Sequence, residues 1–188
     1  MRIHLLLASF ALGLVSTAHA DGVDISLSEE TAHFQYLTDS GSLGYGGADV
    51  GFGVFFTEDE DYLGTGNLMV TSNPSRANNL QFGIGAKAYG GEIDALDAGV
   101  AAVGIGGLVR YIVPSETPMG VALEGYAAPQ ITSFADTDEL GEVMARFELE
   151  VMPSTRGYIG YRWLEPDVEN VGDVELDDDL HVGIRITF

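Results

Sequence analysis

Beyond residue 20 the chain alternates. Phe52, Val54 and Phe56 fall on every second position, as do Leu80, Phe82 and Ile84, then Val182, Ile184, Ile186 and Phe188. A period of two places such residues on one face of an extended strand, whereas helical spacing is almost absent. Ten stretches carry the pattern: 21–28, 31–38, 48–57, 62–71, 79–90, 98–113, 119–131, 142–152, 155–164 and 181–188. The first two are short, and if they merge or fail the count becomes eight.

The opposite face of these strands holds His33, Gln35, Asn67, Lys87, Arg110, Arg146, Arg156, Arg162 and Arg185, interspersed with glycines such as Gly51, Gly53, Gly104 and Gly160. Residues 21–188 contain seven basic side chains, and six of them lie on this face; Arg76 sits in a turn. A soluble sandwich mixes acids and bases over its polar face and loops. Confinement of the bases to one face suits a barrel turned inside out, apolar toward lipid and charged within. A buried cation needs a carboxylate. Glu124, Glu148 and Glu150 are the expected partners, with Asp49 a further inward acid.

Charge along the links sharpens this picture. The odd links, near 28–31, 58–62, 91–97, 136–142 and 165–179, hold 21 of the 29 acidic residues and no Lys or Arg. The even links, near 39–47, 72–78, 114–118 and 152–154, carry turn residues such as "PSETP" and "MPST". Much of the net charge of −21 therefore belongs to one end of the molecule. Long polar loops alternating with tight turns are expected of a transmembrane antiparallel up-and-down β-barrel, loops extracellular and turns periplasmic. An even strand count puts both termini on the periplasmic side. A membrane strand needs about 9–11 residues, so ten fit the length.

The start of the chain, "MRIHLLLASFALGLVSTAHA", reads as a secretory leader. It has a basic tip, an apolar run too short to span a bilayer comfortably, and a small-x-small cleavage site at Ala18 and Ala20. Residues 21–188 are then one mature barrel domain. Cysteine is absent, so disulfides and thiol chemistry are excluded.

The last strand, "HVGIRITF", resembles the assembly signal of outer-membrane barrels, with His181, Gly183, Ile186 and Phe188 in the pattern positions. That resemblance implies recognition by the barrel-assembly machinery. Together with "ADVGFGVFF", "NLQFGIGAKAYGG" and "GYIGYRWLE", the chain resembles the YfaZ family of outer-membrane proteins along its whole mature length. The resemblance implies a small barrel in a Gram-negative envelope and supplies no catalytic residues.

Candidate chemistry is confined to a few groups. The lumen cluster, Asp49, Lys87, Arg110, Glu124, Arg146, Glu148, Glu150, Arg156, Arg162 and Arg185, is expected to form a salt-bridged core; the alternative is the lining of a narrow, porin-like passive pore. His33 and His181 are expected inside near the outer rim, flanking Ser26 and Ser28, which leaves a rim hydrolase as a remote alternative. No GxSxG motif is present, so the expectation is a non-enzyme without cofactor or bound metal. The acidic stretch "EPDVENVGDVELDDD" lacks EF-hand spacing and reads as a solvated loop, open to diffuse divalent cations and lipopolysaccharide. Tyr62, Tyr111, Tyr161, Trp163 and Phe188 are expected in interfacial girdles. Outward basic residues are nearly absent, which argues against nucleic acid. A monomeric envelope protein is expected.

Overall fold

The alternating stretches become strands that hydrogen-bond to their sequence neighbours and close on themselves. The structure, a computed structural model, describes residues 21–39, 48–72 and 79–188. The expected leader with Ala18 and Ala20, the turns around 40–47 and 73–78, and Arg76 lie outside the described residues.

Ten strands build the wall: β1 (Gly22–Leu27), β2 (Thr31–Asp39), β3 (Asp49–Thr57), β4 (Tyr62–Thr71), β5 (Leu80–Ile93), β6 (Ala98–Val113), β7 (Met119–Ala128), β9 (Thr137–Met152), β10 (Thr155–Val168) and β12 (Asp177–Thr187). Two short strands are accessory. β8 (Ser133–Ala135) pairs with β6, and β11 (Gly172–Asp173) pairs with β10. All wall pairings are antiparallel, and β1 joins β12 from Gly22↔Thr187 to Leu27↔Val182 to close the ring. Closure removes the free edges that an open sheet leaves unpaired. The two short N-terminal strands therefore form, and the count is ten rather than eight. Two single-turn 3-10 segments, at 94–96 and 130–132, are the only helical turns among the described residues.

Several boundaries differ from the sequence expectation. The seventh wall strand ends at Ala128, because Pro129 cannot donate to a ladder; Ile131 sits in a 3-10 turn at 86% exposure, not on the wall. β9, β10 and β12 run further into the expected loops, to Thr137, Val168 and Asp177. Many of the acids counted as loop residues thus belong to strand ends.

The outside is apolar: Phe52, Phe82, Ile84, Ile105, Leu123, Phe147 and Val182 are all exposed. Tyr62, Tyr111, Tyr161 and Phe188 also face outward. The Trp163 ring packs against Gly141 of β9, where an added Cβ would meet it at 2.8 Å. Such a continuous exposed apolar surface far exceeds what a water-soluble monomer shows.

The apolar core lies inside the barrel at the end carrying the acidic links. Phe55, Leu63, Ile93, Val100, Leu140, Leu164 and Val168 point inward there and are buried together. Leu176 joins them, and Val174 packs against the cluster. The link before β12 therefore runs back along β10 with Leu176 buried in the cluster, and is not a freely solvated loop. Its backbone is held by Val174 N–H to Pro166 O (2.9 Å) and Leu176 N–H to Leu164 O (3.0 Å). The self-repulsion of its carboxylates is outweighed because alternate residues are apolar and find a pocket.

Candidate functional site: the charged lumen

Below this plug, strand alternation turns charged side chains inward. Glu142 of β9 is the hub. Lys87 Nζ of β5 donates to its Oε1 at 2.8 Å and its Oε2 at 2.6 Å, and the Tyr89 hydroxyl donates to Oε2 at 2.5 Å. Arg162 of β10 reaches Glu142 at 3.9 Å and Asp177 of β12 at 3.2 Å. The Thr31 hydroxyl donates to the same Asp177 oxygen at 3.3 Å. Aromatic faces line the cations: Lys87 Nζ is 5.2 Å from the Tyr89 ring centre, and the Arg162 guanidinium is 5.5 Å from that of Phe55.

A second group lies further from the plug. Arg146 contacts Glu124 at 3.1 Å and Glu148 at 3.5 Å, and Arg110 contacts Glu148 at 3.0 Å. Arg110 also donates to the Gln81 side-chain oxygen at 3.2 Å. Arg185 binds Asp24 through Nε and Nη2, both at 2.6 Å, and the Tyr158 hydroxyl donates to the other Asp24 oxygen. Among the described residues, five cations are matched by five carboxylates: Asp24, Glu124, Glu142, Glu148 and Asp177. Glycines make room where the interior is crowded. A Cβ on Gly53 would stand 2.7 Å from both His33 Nε2 and Thr65 Oγ1, so that neighbour's place requires glycine.

The sequence placed most of these residues on the inward face but named only part of the carboxylate set. Glu124 and Glu148 are ion-paired as expected. Glu150 and Asp49 make no ion pair within 4 Å among the described residues, and neither does Arg156. Asp49 is exposed at the first position of β3 and Glu150 lies beside the turn at 153–154; each lines a cavity with Arg110 without coming within ion-pair distance. Asp24, Glu142 and Asp177 take the roles assigned to them. Parity already turned Asp24 and Glu142 inward, but their partners come from strands distant in sequence. Asp177 read as loop.

His33 and His181 do face the lumen, yet both are buried, at 7% and 2% exposure, and not open at a rim. Both His181 ring nitrogens lack a hydrogen-bond partner, and its ring meets Tyr158 edge-on at 5.8 Å. Ser26 is fully buried beneath Arg162. Ser28 is half-buried just beyond β1, its hydroxyl 2.8 Å from that of Thr31.

Outside the wall, at the acidic end, like charges act on one another. The carboxylates of Asp179 and Glu58 raise the pKa of Glu30 above its ordinary value. A carboxyl group raised in the folded state favours folding while protonated, and that contribution is lost as pH rises through its folded pKa. Replacing Asp179→Asn is expected to bring the Glu30 titration down toward the ordinary carboxylate range, as read by carboxyl-carbon NMR. Among the described residues, no three acids or histidines are grouped so as to hold a metal ion.

A sequence model for the family described as YfaZ precursor matches residues 4–188, nearly the whole chain. No curated protein matches the chain. The chain belongs to the YfaZ family. A precursor family and a closed ten-stranded barrel with an apolar exterior fit an outer-membrane protein.

Proposed function

We propose that this YfaZ-family chain is a monomeric outer-membrane barrel with a structural envelope role and a lumen that does not conduct. The observation that supports it is the two-part filling of the interior: an apolar plug at one end and matched ion pairs beneath it. Small barrels are filled by side chains, whereas channels need many more strands.

In the proposed orientation the acidic links face the exterior and both termini face the periplasm. A leader ending at Ala20 is removed before assembly. The terminal strand, with His181, Gly183, Ile186 and Phe188, is the segment read by the barrel-assembly machinery. The outer belt contacts lipid and lipopolysaccharide, and divalent cations screen the acidic end diffusely. The chain is not an enzyme in this reading, since the buried Ser26, His33 and His181 offer substrate no access. Measurable lipid or peptide hydrolysis by the purified barrel would overturn that part.

Planar-bilayer recording on refolded protein tests the closed lumen. The expected trace is silent at moderate voltage. The double variant Phe55→Ala, Leu63→Ala thins the plug and is expected to give flickering openings. Steady wild-type channels would replace this reading with a passive pore.

A further inference from the structure

At the end of the barrel away from the acidic links, the lumen opens into a cavity of about 310 Å³. Pro118 and Met119 form part of an apolar wall; Arg110, Glu148, Glu150 and Arg156 form a charged one. Arg156 of β10 and Glu150 of β9 are register partners and both line the cavity, yet neither is ion-paired within 4 Å among the described residues. They differ in this from the five paired cations deeper in the lumen.

The other carboxylate lining the cavity, Glu148, is held by Arg110 and Arg146 and only partly offsets the charge of Arg156. The register partner of Arg156 on β12 is Arg185, whose guanidinium is committed to Asp24. Like charges directly opposite on adjacent strands destabilise a sheet unless an anion lies between them. Arg110, across the cavity, uses its terminal nitrogens for Gln81 and Glu148, while its Nε is buried without a partner. The cavity thus offers an uncommitted guanidinium, a buried N–H donor, an uncommitted carboxylate and an apolar wall.

We propose that this cavity binds a small zwitterion bearing a carboxylate and an ammonium group, such as an α-amino acid. Arg156 takes the carboxylate, in the planar bidentate manner that guanidinium favours. Glu150 takes the ammonium, and the apolar remainder of the ligand rests on Pro118 and Met119. A lone anion would be repelled by Glu150 and a lone cation by Arg156, so the zwitterion is selected by having both charges.

Isothermal titration calorimetry on the refolded barrel in detergent tests this with three probes: L-alanine, acetate and methylammonium. Alanine is expected to bind at least tenfold more tightly than either singly charged probe. Arg156→Gln and Glu150→Gln are each expected to weaken alanine at least tenfold, with heat-shifted gel migration verifying the fold. Acetate binding as tightly as alanine would overturn the proposal in favour of a plain anion site. Absence of alanine binding, or alanine binding indifferent to both substitutions, would also overturn it. Should a variant fail to fold, the three-probe comparison on the wild-type barrel decides.

Discussion

Glu142→Leu is expected to destabilise the barrel by about 3–5 kcal/mol, the range for removing one partner of a buried ion pair. Glu142 accepts both short Lys87 contacts, the Tyr89 hydroxyl and the weaker Arg162 approach. Its loss leaves Lys87 as a buried cation with no carboxylate, while Arg162 keeps Asp177. Asymmetry follows. Lys87→Met should cost less, because Glu142 retains Arg162 and Tyr89. The double variant Lys87→Met, Glu142→Leu should recover much of the loss, since an apolar pair of similar volume removes the stranded charge. Urea unfolding of the refolded protein, followed through Trp163, the single tryptophan of the chain, measures all three. A double variant as unstable as Glu142→Leu alone would show that the charge network, and not the stranded lysine, carries the effect.

Ile105→Arg is expected to cost about 2–4 kcal/mol in a bilayer, the range for an arginine at the lipid midplane of a barrel. Ile105 lies midway along β6 and is 67% exposed on the outer face. Leu96→Arg is the contrast. Leu96 is also exposed, but in the 3-10 link between β5 and β6, where the belt has ended and cost should be near zero. Unfolding from lipid vesicles gives both values. Equal costs at the two positions would contradict the placement of the belt across the membrane.

The wall was legible in the sequence because it rests on a local rule. Alternation of Phe52, Val54 and Phe56, or of Val182, Ile184 and Ile186, needs nothing beyond a strand with two different environments on its faces. The same rule turned Lys87, Arg146, Arg162 and Arg185 inward. It misjudged ends where a local breaker or a distant contact intervened: Pro129 stops the seventh wall strand, and β12 begins at Asp177 because Arg162 and Thr31 hold that carboxylate. The plug was missed for a related reason. Phe55, Leu63 and Leu164 each stand out of step with the polar inner face, and only their convergence at one end of the ring makes them a core.

The sequence by itself determined the fold class, the inward set of cations and the concentration of acid at one end, since each follows from spacing along a single chain; the choice of ten strands over eight waited on the pairing of β1 with β2 and β12. Tertiary structure alone decided the pairing: Asp24 with Arg185, Glu142 with Lys87, Asp177 with Arg162, and Glu150 and Arg156 left unpaired. The physical reason is the closed ring. Inside it, partners meet across the lumen and across the β1–β12 seam, at sequence separations as large as the 161 residues between Asp24 and Arg185, so no local pattern specifies them.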